Sequence, residues 1–132
     1  MNGIEWIVEA HGCTPGLLRD LDVGRALFAR VVRDLELRVV GDAQWHRFPA
    51  PGGISGLCLL TESHLTVHTF PEFASLCLNL FCCTPRREWH VEETCAQLFA
   101  AESVTVRRVP RCYVPEHPPL AGTGNACGRG QE

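Results

Sequence analysis

Ile54-Ser55-Gly56-Leu57-Cys58-Leu59-Leu60, then Leu65-Thr66-Val67-His68-Thr69-Phe70, then Ser75-Leu76-Cys77-Leu78-Asn79-Leu80-Phe81-Cys82-Cys83 are three runs of strand length separated by only a few residues. In the third, Leu76, Leu78 and Leu80 alternate with Cys77, Asn79 and Phe81, the period of a pleated strand with two different faces. Connections this short join neighbouring antiparallel strands, because a parallel crossover needs a dozen residues or more. The stretch is an antiparallel meander.

Working outward, Ile4 to Ala10 reads as a strand with Ile4, Trp6 and Val8 on one face, and Gly12 to Pro15 breaks it. A helix follows by about Asp22, with an apolar stripe of Val23, Leu27, Val31 and Leu35 and with Arg25, Arg30, Arg33 and Asp34 free to face water. Arg38 to Phe48 is a further strand, closed by the turn Pro49 to Gly53, whose glycines tolerate positive φ. Thr84-Pro85 reads as an N-cap and first helical position, with Glu88 and Glu92-Glu93 suiting the early turns. That helix is expected to run to about Ala101, with Trp89, Glu92, Cys95, Ala96 and Phe99 inward, before a last strand from Val104 to Val109. The order β-α-β-β-β-β-α-β predicts an α/β (α+β) sandwich, a largely antiparallel sheet with two helices on one face. Residues 1–114 form one domain in this reading. Residues 115–132, rich in Pro and Gly, are expected to be a disordered tail.

The 132 residues suit one domain with a real core. Twelve basic residues stand against 15 acidic ones with no basic cluster, so a small metabolite is a better partner than nucleic acid or an anionic membrane. Met1 to Glu5 lacks the basic and apolar regions of a secretory signal, and no apolar run reaches the roughly 18 residues of a membrane span. A cytoplasmic protein is expected. Its eight cysteines are then expected to be thiols, with Cys13, Cys58, Cys77 and Cys95 as small buried apolar groups. No C-x2-C pair exists, and no metal site is expected.

The chemistry concentrates in Glu62-Ser63-His64 and the following His68-Thr69-Phe70-Pro71-Glu72. A serine hydroxyl can attack the carbonyl that precedes it, turning the amide into an ester. Removal of the Ser63 α-proton then lets the ester eliminate, and hydrolysis of the dehydroalanine leaves a pyruvoyl group and ammonia. Such a reaction needs a strained, buried peptide, a donor for the oxyanion and a nearby base. The turn between Leu60 and Leu65 is placed to supply the strain. The bland alternatives are a turn serine at Ser63, a satisfied histidine at His68, a strand-edge hydroxyl at Ser55 and core packing at Cys83. The chain contains no lysine, which excludes lysine-based imine chemistry.

Thr61 to Glu72 resembles the self-cleavage segment of small prokaryotic S-adenosylmethionine decarboxylase proenzymes. The similarity extends to Gly53-Ile54-Ser55-Gly56 and Leu80-Phe81-Cys82-Cys83, and more loosely from Gly3 to about Val114. The resemblance implies cleavage between Glu62 and Ser63 into a β chain 1–62 and an α chain 63–132, with a covalent pyruvoyl cofactor made from Ser63. The ketone replaces pyridoxal phosphate as the electron sink for decarboxylation. The resemblance also implies that His68 is the processing base, that Ser55 hydrogen bonds to the intermediate and that Cys83 is the acid that protonates the product. Phe48 and Phe70 would lie near the adenine or sulfonium, and Glu72 is a candidate to orient His68 or the substrate. The implied product is the aminopropyl donor for spermidine synthesis, and the implied assembly is a homodimer, sheet against sheet.

Three positions depart from the resemblance: Phe70 stands at a common tryptophan, Thr84 at a common glycine, and Glu5 near a frequent histidine. The Pro49 to Gly53 turn also differs in length. Because these are substrate-facing candidates, a pyruvoyl-dependent arginine or ornithine decarboxylase is the alternative, with Glu5 receiving the distal cation. A non-processing binding module on the same scaffold is the third.

Overall fold

In the computed structural model, which describes residues 2–84 and 87–115, the chain forms one six-stranded sheet. The elements are β1 (Gly3–His11), α1 (Pro15–Leu18), α2 (Leu21–Asp34), β2 (Gln44–Arg47), β3 (Ile54–Leu60), β4 (Ser63–Phe70), β5 (Ser75–Cys82), α3 (Val91–Phe99) and β6 (Ser103–Arg111), with a 3-10 turn at Pro71–Phe73. The spatial order is β2-β3-β4-β5-β1-β6, and all five pairings are antiparallel. The meander and the α+β sandwich are borne out.

Alternation decides which face each side chain takes. Trp6, Val8 and Ala10 of β1, Cys58 and Leu60 of β3, Leu65 and Val67 of β4, and Leu76, Leu78 and Leu80 of β5 are buried in one cluster with Leu27, Phe28 and Val31 of α2 and Val91, Cys95 and Phe99 of α3. Burying each large aliphatic side chain contributes roughly 1.5–3 kcal/mol, so this face holds the sandwich together. Among the described residues, the other face carries no helix. Leu57 and Leu59 are 47% and 58% exposed there, in a row shared with Ser55.

Local chemistry sets the helix on the sheet. Asp20 caps α2, its carboxylate accepting from the Asp22 amide at 2.9 Å. Trp45 of β2 packs on Phe28 with ring centroids 4.6 Å apart. That ring fits because Gly24 of α2 and Gly56 of β3 have no side chain: a Cβ would stand 2.8 Å and 2.4 Å from it, respectively.

Several boundaries differ from expectation. The strand expected from Arg38 shrinks to Gln44–Arg47 plus one bridge from Val39 to Leu60, because Gly41 turns with φ +70° between them. The strand expected from Leu65 begins two residues earlier, at Ser63, which leaves only Thr61 and Glu62 in the turn. The second long helix begins at Val91, not at Thr84-Pro85; Thr84 lies in a bend and Pro85 is outside the described residues. The intervening chain instead inserts Trp89, 2% exposed, edge-on against Trp6 at 5.4 Å. In α3 the buried residues are Val91, Thr94, Cys95 and Phe99, so Glu92 and Ala96 face outward rather than inward. The tail expected from residue 115 lies, from residue 116 on, outside the described residues.

Candidate active site

Leu60 and Ser63 are directly paired, so Thr61 and Glu62 make the entire connection between β3 and β4. Two-residue hairpins favour turns in which both central residues, or the first, have positive φ. Here only the second does: Glu62 has φ +63°. A side-chain-bearing residue in this left-handed region costs roughly 1–2 kcal/mol. The strain lies at the carbonyl that precedes Ser63.

Three hydrogen bonds hold the turn. The Thr61 amide donates to the Arg38 carbonyl at 2.9 Å, and the Ser63 hydroxyl, on a residue 7% exposed, donates to the Thr61 carbonyl at 3.3 Å. The Glu62 carbonyl accepts from the Cys83 amide at 3.0 Å. Cys83 in turn has its own carbonyl bonded by the Tyr113 hydroxyl at 2.6 Å. Cys82, 1% exposed, stands directly opposite Ser63 in register, whereas Cys83 has the opposite polarity and is partly open. Only one of the adjacent pair faces outward, as strand geometry requires.

Ser55 and His68 are also brought together. They face each other across β3 and β4 on the open face, with Ser55 Oγ 2.7 Å from His68 Nδ1. His46 is opposite Ser55 on the other side, and its ring stands edge-on to Phe48 at 4.6 Å. A cleft of about 340 Å³ lies over Gln44, His46, Ser55, Leu57, Thr66 and His68.

What the fold does not bring together is His68 and Ser63. They are five residues apart on one extended strand, which puts them on opposite faces and about 16 Å apart along it at ~3.3 Å per residue. His68, the processing base by resemblance, therefore lies out of reach of Ser63 within one chain. Phe70 shares the open face with His68, while Glu72 is exposed in the 3-10 turn and, among the described residues, makes no hydrogen bond to His68.

Glu5 was expected as an exposed acceptor for a substrate cation. Instead its side chain is 18% exposed, pairs with Arg111 and accepts from Asn79 at 2.8 Å. The Asn79 hydrogen bond holds the Glu5 carboxyl below the usual carboxylate range; burial opposes this and Arg111 reinforces it. Its negative charge is already answered. Beside it, Arg111 lies over the Phe81 ring at 5.8 Å, and His64 stacks on Phe81 with centroids 5.6 Å apart.

The cysteines divide. Burial raises the thiols of Cys13 and Cys58, and pushes Cys95 up to about 12, so these act as packing groups. Cys77, expected to be buried, is exposed on the open face opposite His68 because its alternation follows Asn79 and Phe81. Cys112 is disulfide-bonded, which overturns the expectation that all eight are thiols.

Sequence reading missed His46, Asn79, Arg111 and Tyr113. The period of β2 places His46 beside Ser55 once that strand's register is known. Nothing in the spacing points to Tyr113, because its contact with Cys83 spans 30 residues.

The family model for S-adenosylmethionine decarboxylase matches residues 4–112. S-adenosylmethionine decarboxylase proenzymes from Pelotomaculum thermopropionicum and Caldanaerobacter subterraneus are 27% and 31% identical, over 83% and 80% of this chain and 86% and 84% of theirs. The proenzyme from Thermococcus gammatolerans is 34% identical over 65% of this chain and 59% of its own length. The crystal structure of the adenosylmethionine decarboxylase from Aquifex aeolicus superposes with a TM-score of 0.75, covering 90% of this chain and 98% of that one at 18% identity, a likeness of fold. Since the match takes in every element from β1 to β6, including the strained turn and the Ser55–His68 pair, the chain belongs to the S-adenosylmethionine decarboxylase family.

Proposed function

We propose that the chain is a self-processing, pyruvoyl-dependent decarboxylase of S-adenosylmethionine, making the aminopropyl donor for spermidine synthesis. The observation that carries this is the Glu62-Ser63 peptide: a non-glycine residue at φ +63° immediately before a nearly buried serine, with the intervening carbonyl already hydrogen-bonded. Strain of this kind, held by surrounding contacts, belongs to a bond prepared to react.

In the uncleaved chain the cofactor is still Ser63, and the surrounding residues fit its formation. The hydroxyl is adjacent to the carbonyl it must attack, and an amide donor is present for the oxyanion. Once made, the ketone supplies the electron sink that decarboxylation of an amino acid requires. Cys83, partly open at the end of β5, is the group we assign to donate the proton to the product.

The separation of Ser63 from His68 supports a homodimer as the working unit. The Ser55–His68 row and the Ser63–Cys83 end lie toward opposite ends of β4, next to the uncovered face. A two-fold axis lying between the two sheets, parallel to that face and across the strands, would lay one end over the other, so that each copy's Ser55 and His68 serve the other copy's turn. Exposed Leu57 and Leu59 on the same face suit burial against a second sheet. In this arrangement Phe48, Phe70 and Glu72 border the shared site and face the substrate's adenine and sulfonium. Ring stacking and cation–π attraction there are worth about 0.5–2 kcal/mol.

Among the described residues no helix is long and apolar enough to cross a membrane, and a cytoplasmic location belongs to the same reading. The pairing of Glu5 with Arg111 removes the feature that favoured arginine or ornithine as substrate. Carbon dioxide release from S-adenosylmethionine, arginine and ornithine tests the choice. Turnover of S-adenosylmethionine alone is expected; turnover of ornithine or arginine in its place would overturn it.

A further inference from the structure

The Glu62 carbonyl is the group whose carbon Ser63 must attack, and its oxygen accepts from the Cys83 amide at 3.0 Å. By position this is one more rung of the β4–β5 ladder, beyond the last strand pair Ser63–Cys82. By what it touches it is more than that, because the acceptor is the atom that gains negative charge when the hydroxyl adds. Resting on the reading above, we propose that the Cys83 backbone N–H is the oxyanion donor for self-cleavage, and that Tyr113 is the positioning residue that holds it there.

The step balances without a co-reactant. The Ser63 Oγ–C bond to Glu62 forms as the hydroxyl proton passes to the base, and the carbonyl electrons move onto the Glu62 oxygen, facing the Cys83 N–H. Collapse restores the carbonyl, breaks the Glu62–Ser63 C–N bond and returns the proton to the departing nitrogen. The products are an ester and an amine. Removing one such donor from an acyl-transfer site costs about 10²–10³ in rate, so a small displacement of this amide is costly.

Tyr113 is needed because the ladder ends here. β5 stops at Cys82 and the chain bends at Thr84, so among the described residues no strand pair of the β4–β5 ladder lies beyond Ser63–Cys82. The Tyr113 hydroxyl donates to the Cys83 carbonyl at 2.6 Å, fixing the residue from the side opposite its amide. Tyr113 is delivered two residues after Arg111, which is anchored to Glu5 and, through it, to Asn79 of β5. From the other side Gly3 of β1 packs so closely that a Cβ would stand 2.7 Å from the Cys82 carbonyl oxygen. Cys83 is therefore held by the turn before β4, by β1 and by the segment after β6.

Tyr113→Phe removes the hydroxyl and keeps the ring, and the residue is half exposed, so folding is not at stake. The proenzyme is followed from synthesis by gel, with and without hydroxylamine, which cleaves an accumulated ester but not an amide. The expected result is about tenfold slower cleavage, an unchanged melting temperature and no hydroxylamine burst, since the hydroxyl acts before the ester forms. Cleavage at the wild-type rate, or a hydroxylamine burst showing that the ester forms normally, would overturn the assignment of Tyr113. If the wild-type chain itself fails to cleave, it is the proposed function that falls.

Discussion

Ser63 and His68 share one strand and point to opposite faces of the sheet, and this parity decides how the protein can work. A base acts only within hydrogen-bond reach or through one water, and five extended residues exceed that reach several times over. In the proposed homodimer the pair is complementary between copies. Chains carrying His68→Ala, co-expressed with differently tagged Ser63→Ala chains, are expected to be cleaved in about half their number at equal mixing, the fraction of a two-fold dimer pool that is mixed. Each variant alone should stay whole. Absence of cleavage in the mixture would show that His68 serves its own chain or no chain.

Ser55→Ala leaves His68 Nδ1 without its partner at 2.7 Å. Loss of a positioned proton-transfer partner costs about 10²-fold, so processing should slow by that order while the fold remains intact. Timed gels with matching circular dichroism check both halves of the expectation.

Cys83→Ala keeps the backbone amide that bonds the Glu62 carbonyl and removes only the thiol. Cleavage should proceed, and decarboxylation should fall by about 10²-fold or more as product protonation fails. Unimpaired turnover by the cleaved variant would remove the thiol from the mechanism.

Glu5 contributes to stability with a definite pH dependence. Its folded carboxyl titrates below the ordinary carboxylate range, chiefly through the Asn79 hydrogen bond, so the stabilisation is present above that range and lost as pH falls through the folded pKa. The gap in melting temperature between wild type and Glu5→Gln is expected at pH 7 and should shrink as pH falls below the ordinary carboxylate range and through the folded pKa. A gap independent of pH would contradict the ionic contribution.

Gly56→Ala tests the packing that carries β2 and the cleft. The added Cβ would lie 2.4 Å from the Trp45 ring, and overpacking of this kind costs about 1–3 kcal/mol. Chemical denaturation is expected to show that loss.

The meander was legible because Leu76, Leu78 and Leu80 alternate cleanly and the gaps between runs are short. The start of α3 was not: Thr84-Pro85 has the local chemistry of a helix start, but burial of Trp89 against Trp6 takes the chain across the core first. At the site, Ser55 was legible with His68 through the resemblance. Their separation from Ser63 was present in the numbering, since five is odd and strand side chains alternate, yet it carried meaning only once Ser63 proved to lie within β4. Glu5 misled because its partners, Asn79 and Arg111, lie 74 and 106 residues away. No periodicity reports such a contact.

The central claim is that the Glu62-Ser63 bond breaks itself, and intact mass spectrometry of the purified protein tests it most directly. The expected result is two chains, residues 1–62 and 63–132, the second beginning with a pyruvoyl group, and a single whole chain for Ser63→Ala. A wild-type protein that stays one uncut chain of 132 residues, indistinguishable in processing from Ser63→Ala, would contradict it.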